Sequence, residues 1–154
     1  MANMSNYLES GIANHILRGA FFNKPSGIAI ALTSSVPLDS DTGSTIAEIP
    51  SGINGSGTGY ARINLGNPVD NGDGYWSHLA ADIAVGSGVV KNASAHIYDT
   101  ALLDLGWISG VAICDTADYG GGNVLIYGQL TNPRVIYTGD SLKFDIDSFE
   151  INFK

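Results

Sequence analysis

The sequence lacks what several common classes of protein are built from. Cys114 is its single cysteine among 154 residues, so no disulfide can form within the chain. No stretch approaches the roughly 20 uninterrupted apolar residues of a spanning helix. The opening MANMSNYLES is polar where a secretory signal needs an apolar block. A soluble chain without a Sec-type address, held together by packing and without a membrane partner, is therefore expected. Bases are scarce too: 7 Lys and Arg stand against 15 Asp and Glu, a formal charge of −8. They are dispersed (Arg18, Lys24, Arg62, Lys91, Arg134, Lys143 and Lys154), so the clustered cations that grip phosphate are missing and direct nucleic-acid contact is not expected.

What is abundant points to strands and turns. There are 20 glycines, and 12 of the acids are Asp against 3 Glu. Asp favours turns and caps over helix interiors. The length suits one domain spanning 1–154, burying about two-thirds of its surface. Residues 1–19 read as an N-terminal segment and helix, 34–58 as a long polar loop, and 28–33 with 60–154 as a β-core. In the helix, Asn6 and Glu9 match a capping box, with Ser5 as an alternative cap. Leu8, Ile12 and Ile16 recur every fourth residue, Ala13 and Leu17 widen the stripe, and Gly19 sits where a helix stops. This apolar face is expected to cover the open end of the β-core, ahead of docking on a partner chain.

The apolar run at 28–33 (IAIALT) is too short for a helix and reads as a strand. Residues 34–58 form a weakly apolar stretch of a length that usually signals function or mobility. Ala61, Ile63 and Leu65 alternate with Arg62 and Asn64, and Ala93, Ala95 and Ile97 alternate with Ser94, His96 and Tyr98. Segment 107–114 (WISGVAIC), apolar on both parities, predicts a central strand buried on both faces. Segment 123–130 is similar, joined to it by a hairpin at 119–122, and a short strand at 135–137 follows Pro133. Leu142, Phe144 and Ile146 share one parity, and Phe149, Ile151 and Phe153 the other. That change requires a bulge or bend at Asp147–Ser148, as where a strand changes sheets. The expectation is an all-β, β-sandwich or jelly-roll-like domain of about eight or nine strands with one N-terminal α-helix.

No catalytic pattern stands out. Asp41-Thr42-Gly43-Ser44 is the tetrapeptide of aspartic proteases, but it lies in a polar loop where Asp and Gly are ordinary turn formers. His15, His78, His96 and Cys114 have no familiar zinc spacing. Asp70, Asn71 and Asp73 fail the calcium-loop pattern, since Gly72 holds the third position and Ala81 the twelfth, so a hairpin turn is preferred there to a weak calcium site. A Cys114–His96 nucleophile is disfavoured because burial makes a thiol inert. Neither a nucleophile elbow nor a P-loop is present. An enzyme is not expected, nor any cofactor or metal. Among the aromatics Tyr75, Trp76, Trp107 and Tyr119, the pair Tyr75 and Trp76, directly after a turn, is the better candidate for stacking on a glycan. Core packing is the commoner fate of such rings.

The stretches SNYLESGIANHILRG, KPSGIAIALTSSVP, GTGYARINL, GWISGVAICD and GGNVLIYGQLTNPRVIYTGDSLKF, about two-thirds of the chain, resemble a family of small bacteriophage virion proteins labelled tail fibre-like or capsid decoration proteins. The resemblance implies a structural role in the virion and carries no catalytic motif. An acidic chain should sit away from packaged DNA, and unpaired cysteine suits folding in the host cytoplasm. The expected role is a capsid decoration, or cement, protein on the outer shell, stabilising the lattice by binding it once assembled. Its partners would be the major capsid protein or other virion proteins, and the chain would form a dimer or trimer. Candidate contacts are Tyr7, Leu8, Ile12 and Ile16 in the N-terminal segment and Val36, Leu38, Ile46, Ile49 and Ile53 in the loop. The acidic turns at 70–73 and 115–118 would face solvent. The alternative is a tail or tail-fibre component that meets host glycans through Tyr75 and Trp76.

Overall fold

The apolar runs expected to be strands lie side by side. The computed structural model describes residues 2–49, 57–68, 76 and 88–152. Among them the chain order is β1 (Ala2–Met4), α1 (Asn6–Arg18), β2 (Ile28–Thr33), β3 (Ile63–Gly66), β4 (Val89–Lys91), β5 (His96–Ile97), β6 (Gly106–Cys114), β7 (Val124–Ile136), β8 (Lys143–Phe144) and β9 (Glu150–Asn152). Five strands make an antiparallel sheet in the order β1-β7-β6-β2-β3, and β4-β9 and β5-β8 form two short ladders. The all-β class with one helix holds. The described residues show no second full sheet of the kind a sandwich or jelly roll would have.

β6 is the central strand, and its residues 110–114 are buried. Alternation sorts the two faces of the sheet. Ile30, Leu32, Val111 and Ile113 join a large cluster that takes in Val90, Tyr98, Leu142, Phe149 and Ile151 from the two ladders and their flanks. The opposite face carries Ala31, Ala112, Cys114, Val124 and Tyr127, with Ile46 packed among them. Ala31, Ala112 and Cys114 at its centre are small, which lets the segment after β2 pack close to the strands.

Several local expectations need correcting. β1 was not expected: it adds Ala2–Met4 to the edge of β7, with Ala2 opposite Gly128. The strands read at 123–130 and 135–137 are one strand, β7. Ile108 faces Arg134 while Gly110 faces Gln129, so residues 130–133 bulge out of the ladder. Pro133, which has no N–H to donate, sits within that bulge. Around β5 the parity is the reverse of that expected: His96 and Tyr98 are buried and Ile97 is 60% exposed. The reason is Tyr98, whose hydroxyl donates to the Ile30 carbonyl at 2.8 Å while its ring stacks on Tyr60. Arg62, expected on an outer face, is buried, and Ala61 is exposed.

The parity change near Asp147 is real and has the expected cause. β8 and β9 belong to different ladders, and Asp147 between them has φ 62°, the left-handed region costly to a side chain. The helix is capped by Ser5, the alternative of the two candidates, whose Oγ accepts from Leu8 N at 3.3 Å, and it ends at Gly19 with φ 66°.

Cys114 tests the tightness of the small-residue face. Burial, only partly offset by the nearby Arg62 charge, pushes its thiol up to about 11. The folded protein should therefore resist a thiol-exchange reagent at pH 9, where an exposed cysteine is mostly thiolate, and react at once in denaturant. Rapid labelling of the native chain at pH 9 would show that this face opens.

Candidate functional site

The surface candidates hang on a buried ion pair that the sequence did not announce. Arg62, just before β3, and Glu48, in the segment after β2, have side chains 0% and 3% exposed. The pairing is bidentate: Nε donates to Oε1 at 2.8 Å and Nη2 to Oε2 at 2.7 Å. Nη1 donates to the carbonyls of Thr116 and Gly121, and Nη2 also to that of Gly43. All five guanidinium N–H groups are thus used, the condition under which a buried charge is tolerable. Burial alone would lower the Arg62 pKa, but the hydrogen bonds and charge of Glu48 outweigh it and the pKa is raised. The carboxylate also accepts from Tyr60 Oη at 2.9 Å and from Gly120 N at 3.2 Å. Burial, reinforced by Tyr98 and Glu48, raises the Tyr60 phenol well above its ordinary range, so it remains a donor.

This hub ties the segment after β2 to the β6–β7 turn. Of the 34–58 loop, residues 34–49 and 57–58 are described, and 34–49 form a folded layer against the sheet face that carries Ala31, Ala112 and Cys114. Ser34 N donates to Ala47 O, Ile49 N to Leu32 O and Gly43 N to Gly122 O, each within 3.0 Å. A Cβ on Gly43 would overlap the Gly121 carbonyl, so only glycine fits there. Ile46 and Ile49 are 7% and 3% exposed, and their side chains are spent on the core. Val36 and Leu38 remain at the surface, at 38% and 64%, and Ile53 lies outside the described residues. Asp41 closes a turn, its carboxylate accepting from Leu38 N at 2.8 Å and Thr45 Oγ1 at 2.9 Å. Asp115, expected to face solvent, instead closes the β6–β7 turn by accepting from the backbone and side chain of Asn123.

The N-terminal helix is the most exposed apolar element. None of its residues is buried. Leu8 reaches the large cluster, but Tyr7, Ile12, Ile16 and Leu17 stand out, the last two at 70% and 79%, followed by Phe21 at 81%. Phe22 folds back instead, its ring on Tyr7 at 5.9 Å and against Gly11. The expectation that this face covers the core is therefore corrected. The helix is anchored at one end, where fully buried Ser5 donates through Oγ to the Val124 carbonyl. One partly buried Leu contributes at most about 1.5–3 kcal/mol, too little to account for the whole stripe. A second exposed apolar group, missed in the sequence, joins Trp107 to its cross-strand partner Val135, with Tyr137 beyond.

The remaining candidates separate. Trp76 is half-buried, bridged to Asn92 and set edge-on to Phe149 at 5.9 Å. Tyr75, His78 and the 70–74 turn lie outside the described residues. Tyr119 backs the hub, 6.4 Å from Tyr60. Cys114 belongs to the smaller cluster, whereas His96 faces Phe144 in the β5–β8 ladder. Among the described residues no three His, Cys, Asp or Glu side chains gather as a metal would need, and no helix is long and apolar enough to cross a membrane.

A family model described as podophage GP4 fiber I protein gp80 matches residues 3–152. No curated protein matches the chain.

The hub makes a sharp prediction about stability. Glu48→Gln and Arg62→Met each strand a buried group and should each cost about 3–5 kcal/mol in urea unfolding. The double variant should lose much less than the sum. Additive losses would mean that the pair is not coupled.

Proposed function

Because the chain belongs to the podophage GP4 fiber I protein gp80 family, we propose that this virion structural protein is a component of a tail fibre. It works by binding neighbouring virion proteins and catalyses no reaction. The observation that carries this reading is the family match across nearly the whole chain, described as a fibre protein. The acidic charge does not distinguish the fibre from the shell, since either position keeps the chain away from DNA. The fibre description therefore weighs against the cement role that charge and loop length suggested.

The exposed face of α1 supports an assembly role. Ile16, Leu17 and Phe21 form an apolar surface that the described residues leave uncovered, and such surfaces mark contacts with other molecules. Val36 and Leu38 on the folded layer, and Trp107 with Val135 on the β6–β7 ladder, offer contacts elsewhere. The neighbours are other virion proteins, further copies of the chain included.

Copy number and position test the reading. Labelled antibody should mark the tail, and purified particles should hold about six to a few dozen copies, as fibre symmetry dictates. Hundreds of copies spread over the shell would overturn it in favour of the cement role. The double variant Ile16→Glu/Leu17→Glu should shift the stability of the isolated chain by less than about 0.5 kcal/mol, yet sharply lower the amount recovered in particles. Unchanged recovery would remove α1 from the assembly surface.

A further inference from the structure

Trp107 and Val135 lie opposite each other across β6 and β7, so their side chains stand on the same side of the sheet. Tyr137, two residues on from Val135, continues the row, while Ile136 between them turns into the large cluster. Both rings are more than half exposed, Trp107 at 51% and Tyr137 at 58%. Trp and Tyr are the residues on which protein contacts most often depend. The row is also preformed. Leu105 N donates to the Ile136 carbonyl at 3.0 Å and Gly139 N to that of Ala101 at 2.7 Å, which fixes 101–105 against 136–139. A surface rigid before binding loses little freedom when it is covered.

Two carboxylates rim the row. Asp140 accepts from Tyr137 N at 3.0 Å, and Asp104 accepts from Thr138 N at 2.8 Å and from Thr138 Oγ1 at 2.9 Å. The two bonds from Thr138 hold the Asp104 carboxyl below the usual carboxylate range, so it stays charged. Among the described residues neither acid is in an ion pair. Arg134, the neighbour of Val135 in sequence, belongs to the other face of the sheet. It lies opposite Ile108, which is buried in the large cluster, and Nη2 reaches the Ser141 carbonyl at 3.5 Å.

Charge selects the occupant of this row. The face of an aromatic ring is electron-rich and attracts a Lys or Arg head, as a carboxylate does, and both repel an acid. A second copy is disfavoured, because a twofold contact would set Asp104 and Asp140 against their own counterparts in a chain of net charge −8. We infer that the row docks a segment of a different virion protein that carries Lys or Arg beside apolar side chains. The apolar part covers Val135 and the rings, and the cation meets the ring faces and the Asp104 and Asp140 carboxylates. This contact rests on the chain working by binding its neighbours, and it holds whether the neighbour is in the fibre or the shell.

The test is photo-cross-linking in intact particles, with p-benzoylphenylalanine in place of Tyr137 and the joined peptides sequenced by mass spectrometry. The cross-link should run to a different virion protein, with Lys or Arg within a few residues of it. Beside it goes Asp104→Asn/Asp140→Asn, whose amide oxygens still accept from Thr138 and Tyr137 while both charges are lost. With an unchanged melting curve, this variant should lower the cross-link yield per copy about tenfold, the effect of about 1.4 kcal/mol. A cross-link to a second copy or to an acidic segment, no cross-link, or a yield that the double variant leaves intact overturns the inference. A chain placed on the tail by antibody whose cross-link runs to its own copy sinks this inference alone. One placed on the shell whose cross-link runs to a basic segment sinks the fibre reading alone.

Discussion

The Arg62–Glu48 pair is the constraint on which the rest of the molecule depends. It joins four parts of the chain that no strand ladder joins: the segment after β2, the start of β3, Tyr60 and the β6–β7 turn. Buried ion pairs are poor stabilisers on balance, because desolvation offsets their attraction. What this one supplies is position. The guanidinium has five donors in a fixed plane, and each finds an acceptor only when the Gly43, Thr116 and Gly121 carbonyls are in place together. A chain that failed to bring the turn and the segment after β2 together would leave a charge stranded, and that penalty selects one arrangement among many.

From the hub, contact passes through rings. Tyr119 and Tyr60, Tyr60 and Tyr98, Tyr98 and Phe144, Phe144 and Phe149, Phe149 and Trp76 follow one another at centroid separations of 5.4–6.4 Å. This series ties the five-stranded sheet to the two short ladders, which have little backbone pairing of their own. Ladders of two or three residues are too short to be stable alone, so side-chain burial holds them in place. Trp76 therefore serves the packing behind Phe149.

How much of this was legible follows from how local each cause is. Ser5, Gly19 and the run at 28–33 act within a few residues of themselves. The helix end at Gly19 and β2 fall where the pattern puts them, and the helix starts at Asn6, on the alternative cap Ser5, one residue before the start that the Asn6–Glu9 box implies. The change of parity at Asp147 is equally local, since one residue in an unusual conformation reverses every side chain after it. Arg62 is different. In sequence it is a charge alternating with apolar residues, the usual mark of an outer face, and its partner lies 14 positions away in a stretch rich in Gly, Ser and Thr. The one available signal was chemical: Glu48 is one of three glutamates in a chain whose acids are otherwise aspartate. The parity around Tyr98 failed for the same reason, because a hydroxyl bonded to Ile30 across 68 positions decides which side faces in.

The surfaces differ from the core in how they are held. α1 is fixed at its first turn by Ser5 and Leu8, and a 13-residue helix is marginal in water without packing along its length. An apolar stripe that the described residues do not cover adds little to the stability of the monomer and exposes it to aggregation. Burial on association, as proposed for the fibre, would account for its place in the sequence. The Trp107–Val135 pair lies toward the opposite end of β7 from the Val124 carbonyl that anchors the helix, a separation on the order of 30 Å along the strand. Two such groups lie at opposite ends of one strand in a chain of net charge −8, and that charge opposes non-specific association. The same charge leaves apolar contact as the attraction that a specific neighbour can use.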